Sequence, residues 1–251
     1  MKMKWLTLLA ALVPVAVFAF IGGYFTRTAL AQQESDTAPS VDKLPPDVHP
    51  ETFARIGWPT RDEFTTPEDL AAYDRAVAAA PQYAKPANGM IEGNGIRLHI
   101  PIVHIAYRDT VQNLNQKNGL DPHYSQLATL IGCRENNEEL DWLNHEKQSA
   151  GKTLPREVIE VVRNNKDTKG LDEKDQVLIE FGREIFRQPK VSSKTYADME
   201  RLFGKRGTLA MTLLMAHYTD DAILYRVYDQ HLLPGTKRPF PDVLAREAKG
   251  Q

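Results

Sequence analysis

From residue 66 to residue 231 the chain repeats one pattern: apolar positions three and four apart, in runs broken by Gly, Pro, Asn or Asp. That period belongs to helices with one buried face. Thr66-Pro67 supplies an N-cap and a first-turn proline for EDLAAYDRAVAA. Pro101 opens a second helix, IVHIAYRDTVQNLNQ, which Gly119 ends. Asp121-Pro122 starts a third, HYSQLATLI, with Leu127, Leu130 and Ile131 on one face, and Gly132 separates it from a fourth over Glu135 to Ser149. Leu154-Pro155 begins a fifth, and Asp172 caps a sixth that carries Val177, Leu178, Phe181, Ile185 and Phe186. Ser192 or Ser193 caps a seventh that stops near Gly204. The last helix, from Thr208 to His231, is the longest and most apolar. Residues 84–97 read as turns, with Asn88-Gly89 and Asn94-Gly95 as breakers, and LLPGTKRPFPD closes the domain. No period-2 run bounded by hairpin turns is found, so the predicted fold is all-α.

Upstream of this pattern the chain changes character. Lys2 and Lys4 precede an uncharged apolar run from Trp5 to Phe25, and Ala29-Leu30-Ala31 offers a signal-peptidase site before Gln32. Residues 1–31 are expected to be a cleaved signal peptide. The run of 21 residues is also long enough for an uncleaved membrane anchor over residues 5–25. Either way the lysines stay inside and the domain is exported, periplasmic or secreted. The polar, proline-bearing stretch that follows is expected to be a flexible linker over residues 32–57, leading to a domain over 58–242 and a tail over 243–251.

Composition adds three constraints. With 42% hydrophobic and 25% charged residues in 251, the chain suits one sizeable globular domain. Without residues 1–31 it keeps 28 basic and 33 acidic residues, a net charge of −5, which argues against nucleic acid as partner. Cys133 is alone, so intrachain disulfides and Cys-x-x-Cys redox pairs are excluded.

The candidate chemistry sits on the fourth helix. Glu138, Asp141 and His145 are spaced three and four apart, which puts them on one helix face with Trp142 beside them. A carboxylate beside an imidazole tunes its pKa and fixes its tautomer, as acid–base work requires. The triplet also offers oxygen and nitrogen ligands to a divalent metal. A solvated face carrying helix-stabilising charge pairs has the same spacing. His217 and Tyr218 lie within the apolar last helix, where a core histidine and a buried hydroxyl are the ordinary outcomes. Asp220 and Asp221 interrupt that helix, and at least one is expected to face the pocket or an interface. His99 and His104 flank Pro101 and read as surface or capping residues.

DWLNH at 141–145 resembles the acidic-Trp-x-x-His signature of the carboxymuconolactone decarboxylase family. Leu98-His99-Ile100-Pro101 is similar to its Leu-His-Ser-Pro element. SQLATLIGCRENNEELDW, the helix pair from KGLDEKDQVLIEFGREIF to DMERLFG, and MAHYTDDAILYRVYDQHLLP resemble its later helices in unbroken order over residues 60–240. The resemblance implies a compact all-α fold, a homo-oligomer (trimer or hexamer) with pockets near subunit contacts, and no organic cofactor or metal. One branch decarboxylates γ-carboxymuconolactone. The alkyl hydroperoxide reductase D-like branch uses Cys-x-x-Cys-x-x-x-His and a relay glutamate on the preceding helix.

Laid on this chain, His145 matches the histidine, Glu138 and Asp141 stand where the two cysteines would be, and Gln126 stands at the relay glutamate. Cys133 falls five residues too early to act as a peroxidatic thiol. What the resemblance implies is decarboxylase- or lyase-type chemistry on a small organic acid or lactone. His145 would be the general acid or base, oriented by Glu138 or Asp141, with Trp142, Gln126, His217 and Tyr218 binding substrate. The alternative is a non-catalytic exported binding or assembly protein that keeps the fold, which Gln126 and the absent cysteines favour.

Overall fold

A computed structural model describes residues 36–84 and 89–243. The segment expected as signal or anchor, and the tail beyond residue 243, lie outside these residues. The domain is all-α: α1 (Pro67–Ala79), α2 (Glu92–Arg97), α3 (Pro101–Lys117), α4 (Pro122–Glu135), α5 (Glu139–Ser149), α6 (Arg156–Arg163), α7 (Glu173–Arg187) and α8 (Ser193–Val227). Among the described residues, pairing outside helices is limited to isolated bridges such as Thr37 with Lys237. None of the described helices is long and apolar enough to cross a membrane.

Side-chain caps start four of these eight helices, Glu138 of α5 among them. The Thr66 hydroxyl accepts from the Asp69 N–H at 3.1 Å, the Asp121 carboxylate from His123 N–H at 2.9 Å, and the Ser192 hydroxyl from Thr195 N–H at 3.2 Å. Helix α4 is the central element. Its residues from Leu127 to Arg134 are all buried, and it packs against α8, α7 and α5. The core gathers Leu127, Leu130 and Ile131 with Leu178 and Phe181 of α7 and Met211, Leu214 and Met215 of α8.

Two departures from the sequence pattern share one cause: tertiary contact decides what glycine does. Helix α4 runs through Gly132 to Glu135, where the sequence suggests a break. A Cβ at Gly132 would lie 3.2 Å from Met215 Cα and 3.3 Å from Tyr218 Cβ, so this glycine brings α4 and α8 into contact. The chain instead turns at Asn137, with φ of 52°. Helix α2 forms across a stretch that reads as turns. A Cβ at Gly93 would meet Asp221 Oδ1 at 2.4 Å, so the glycine lets α2 press on α8. The break expected near Gly204 is present: this residue has φ of 66° and ψ of 170°, outside the helical region, so α8 consists of two helical segments joined there.

The expected flexible linker is likewise corrected over its described part. Phe53 and Ala54 are buried, and the segment bonds to the chain after α8 through Ala38 N–H to Thr236 O (2.8 Å) and His231 N–H to Phe53 O (2.7 Å). These few apolar residues and backbone bonds fix a stretch whose composition looks unstructured.

Candidate functional site

Helix α5 begins one residue after Glu138, and that residue is its cap. The Glu138 carboxylate accepts from the N–H groups of Leu140 (2.6 Å) and Asp141 (3.0 Å), satisfying donors that have no partner within the helix. Burial raises its pKa to about 7, against the lowering effect of those two bonds. Glu138 therefore lies outside the helical stripe, and the expected three-residue face reduces to Asp141 and His145. Trp142, expected as a pocket wall, turns into the core: it is fully buried against the Phe240 ring, and its indole N–H donates to Glu146 at 2.9 Å.

Asp141 and His145, one turn apart, both line a cavity of about 380 Å³. The opposite walls come from α2, α3 and α8, and include Glu92, Arg97, Tyr107, Arg108, His217, Tyr218 and Asp221. His145 is held at both nitrogens. Nδ1 lies 3.0 Å from Gln126 Oε1, and Nε2 lies 2.8 Å from the Tyr218 hydroxyl. The amide oxygen requires a donor, so Nδ1 carries the proton and Nε2 accepts from Tyr218. Burial, helped by the nearby His217, lowers the His145 pKa to about 4. The imidazole is thus a neutral base. Gln126 stands behind the ring as its orienting partner.

Asp141 is in the opposite condition. Burial, with Glu138, Asp221 and Glu92 nearby, raises its carboxyl well above the usual range, and its contact with the Tyr225 hydroxyl offsets this only in part. Its Oδ2 is buried with no hydrogen-bond partner among the described residues. Burial and the Asp221 charge also raise Glu92. Asp221 itself pairs with Arg97 at 2.6 Å, and Arg97 also reaches Asp220 and stacks 4.0 Å from the Tyr107 ring centre. Of the two aspartates interrupting α8, Asp221 faces the cavity. His217 also lines it, with Nδ1 2.7 Å from the Tyr107 hydroxyl.

Arg108 is the cation left over. Arg108 lines the cavity, and its Nη1 is buried without a hydrogen-bond partner among the described residues. Neither Arg108 nor Tyr107 belongs to a motif, and the sequence carries no signal that joins them to α5 across more than thirty residues. His104, expected at the surface, is buried edge-on against Tyr83. Cys133 is fully buried with its thiol pKa pushed up, so it is not a reactive thiolate.

Among the described residues, no three His, Cys, Asp or Glu side chains gather closely enough to hold a metal ion. A second cavity, of about 480 Å³, lies on the other side of Glu138 and Tyr225. Its cations are already engaged: Arg238 pairs with Glu139 at 2.9 Å, and Arg226 donates to the Asn136 carbonyl at 2.5 Å. The His145 cavity is the one that combines a neutral base, a high-pKa acid and an unpartnered cation. Comparison with family models, curated proteins and solved structures returns no match to this chain.

Proposed function

We propose that this protein is an acid–base enzyme that acts on a small organic acid or lactone, with decarboxylase- or lyase-type chemistry centred on His145. The observation that carries this reading is the placement of opposed groups on one cavity wall. His145 is held neutral near pKa 4, and burial pushes the Asp141 carboxyl well above its ordinary range. Paired titratable groups pushed in opposite directions are the arrangement that acid–base catalysis uses.

The steps follow from the geometry. The Arg108 guanidinium, at the cavity wall, attracts an anionic substrate group, since a guanidinium and a carboxylate form charge-assisted hydrogen bonds. When the substrate's carboxylate leaves as carbon dioxide, the bonding electron pair stays behind as an enolate. The Asp141 carboxyl gives its proton to the carbon and is reprotonated from solvent. Where a proton must first be removed, the Tyr218 oxygen takes it while its own proton passes to His145 Nε2. Gln126 fixes the ring for that transfer. The resemblance to carboxymuconolactone decarboxylases supports the reaction class, and the features of residues 1–31 support export. A homo-oligomer accords with the same resemblance.

Gln126, a residue that cannot titrate, favours a second reading: an exported binding protein that holds an organic anion in this cavity without turning it over. A turnover screen of lactones, 3-oxo acids and aromatic-derived acids separates the two. The enzyme reading expects turnover of at least one class, with a loss of about a hundredfold or more in His145→Ala for substrates that must first lose a proton and in Asp141→Asn for those that lose carbon dioxide directly. Binding without turnover of any class supports the second reading.

A further inference from the structure

Tyr107, Val111 and His217 line both the reactive cavity and a separate open groove of about 580 Å³ between α3 and α8, and the Tyr107–His217 hydrogen bond of 2.7 Å joins the two helices at that boundary. Polarity changes across that boundary. The cavity presents Asp141, Arg97 and Arg108, whereas Leu114, Leu209, Leu213 and Ala216 line the groove. Leu209 and Leu213 are 59% and 47% exposed, while Met211, Leu214 and Met215 on the other side of α8 are buried in the core. Large apolar side chains left in water beside a polar cavity mark a surface that takes an apolar ligand.

The groove also has a length. From His217 to Leu209, α8 advances roughly 12 Å at 1.5 Å per residue. Beyond that point Arg206 bends over the end of α3 and donates to the Lys117 and Asn118 carbonyls, closing the path with charge.

We propose that the substrate is an amphiphile whose reacting head sits among Tyr218, Asp141 and Arg108 and whose apolar chain runs along Leu213 and Leu209. This rests on the catalytic reading of the cavity and adds the substrate's apolar body. A short acid would fill the polar cavity and leave the groove wet. A straight acyl chain reaches from the head group to Leu209 by parting the Tyr107–His217 hydrogen bond that stands between cavity and groove.

The test is kcat/KM for straight-chain 3-oxo acids of increasing length, measured on the full protein and on Leu213→Arg, with light scattering of both. Wild type is expected to gain roughly fourfold per added methylene that enters the groove, then level off. Leu213→Arg is expected to flatten that rise. The slope is the readout because loss of active protein scales every chain length equally. A flat wild-type profile, in a protein that still turns over the shortest acid with Asp141 dependence, overturns the amphiphile and leaves the catalytic reading standing. If Leu213→Arg lowers the solution mass to that of a smaller assembly, the groove is a subunit contact and the proposal is overturned. If no 3-oxo acid reacts, calorimetric titration with decanoate and butanoate decides. Decanoate is expected to bind about tenfold tighter or more, and equal binding overturns the proposal.

Discussion

The Tyr218 hydroxyl lies 2.8 Å from His145 Nε2, a contact between α8 and α5 that spans 73 positions of the chain. It exists because Gly132 allows α4 to press against α8 beside Tyr218, and because Gln126 of α4 holds the other side of the imidazole. The relay Tyr218–His145–Gln126 is thus assembled on three helices that the core already locks together.

The acid side of stability should report His145. Its folded pKa is lowered to about 4 from an ordinary 6.5, so between these values the unfolded chain binds a proton that the folded chain refuses. The stabilising share of this group is present above pH 6.5 and is lost as pH falls towards 4. Nitrogen-15 NMR is expected to show a neutral ring with the proton on Nδ1 at pH 6 and a midpoint near 4. A midpoint at or above 6.5 would contradict the buried, neutral base.

Glu138 should act in the reverse sense. Its folded pKa is raised to about 7 from 4.5, so its contribution is present below pH 4.5 and is lost as pH rises through 7. Glu138→Gln keeps an oxygen for the Leu140 and Asp141 N–H groups and removes the charge. This variant is expected to melt above wild type at pH 8 and to lose that advantage at pH 4.5. Glu138→Ala removes cap and charge together, so a cost of about 1–2 kcal/mol is expected at pH 4.5 and is offset at pH 8. Thermal melts of the three proteins supply the comparison. Identical pH profiles for wild type and Glu138→Gln would contradict the assignment.

How much of this was legible in the sequence depends on the range of each interaction. The helix starts at Thr66, Asp121 and Ser192 were readable because a cap and the N–H it satisfies lie two or three residues apart. Asp141 and His145 were readable for the same reason, as neighbours one turn apart. Glu138 was misplaced because a cap at the helix boundary and a first-turn residue have the same spacing to Asp141. Helix α2 was missed because Gly93 is explained by Asp221, over a hundred residues away. Arg108 and Tyr107 were missed because nothing local distinguishes them from other residues of an amphipathic helix.

Trp142 should matter for folding rather than for chemistry. Trp142→Phe removes the N–H that Glu146 accepts and leaves space beside Phe240. Denaturant titration is expected to show a loss of about 1–3 kcal/mol, the range for point mutations of this kind, with kcat/KM of the folded protein within about twofold of wild type. A large drop in kcat/KM without a stability change would return Trp142 to the pocket wall.

Gly132→Ala tests the close approach of α4 and α8. The added methyl would meet Met215 Cα at 3.2 Å and Tyr218 Cβ at 3.3 Å, and backbone yields less readily than a side-chain end. Overpacking of this kind is expected to cost about 1–3 kcal/mol, despite the better helix propensity of alanine. An unchanged or raised melting temperature would show that the two helices have room to separate.

The central claim is that His145 and Tyr218 work as one relay. It is tested most directly by a double-mutant cycle: kcat/KM of wild type, His145→Ala, Tyr218→Phe and the double variant, on a substrate from the screen whose turnover begins with proton removal. Groups that act as a unit are non-additive. The expected result is a loss of about a hundredfold or more in each single variant, with little further loss in the double. Single variants that retain wild-type turnover, or losses that simply multiply in the double, would contradict it.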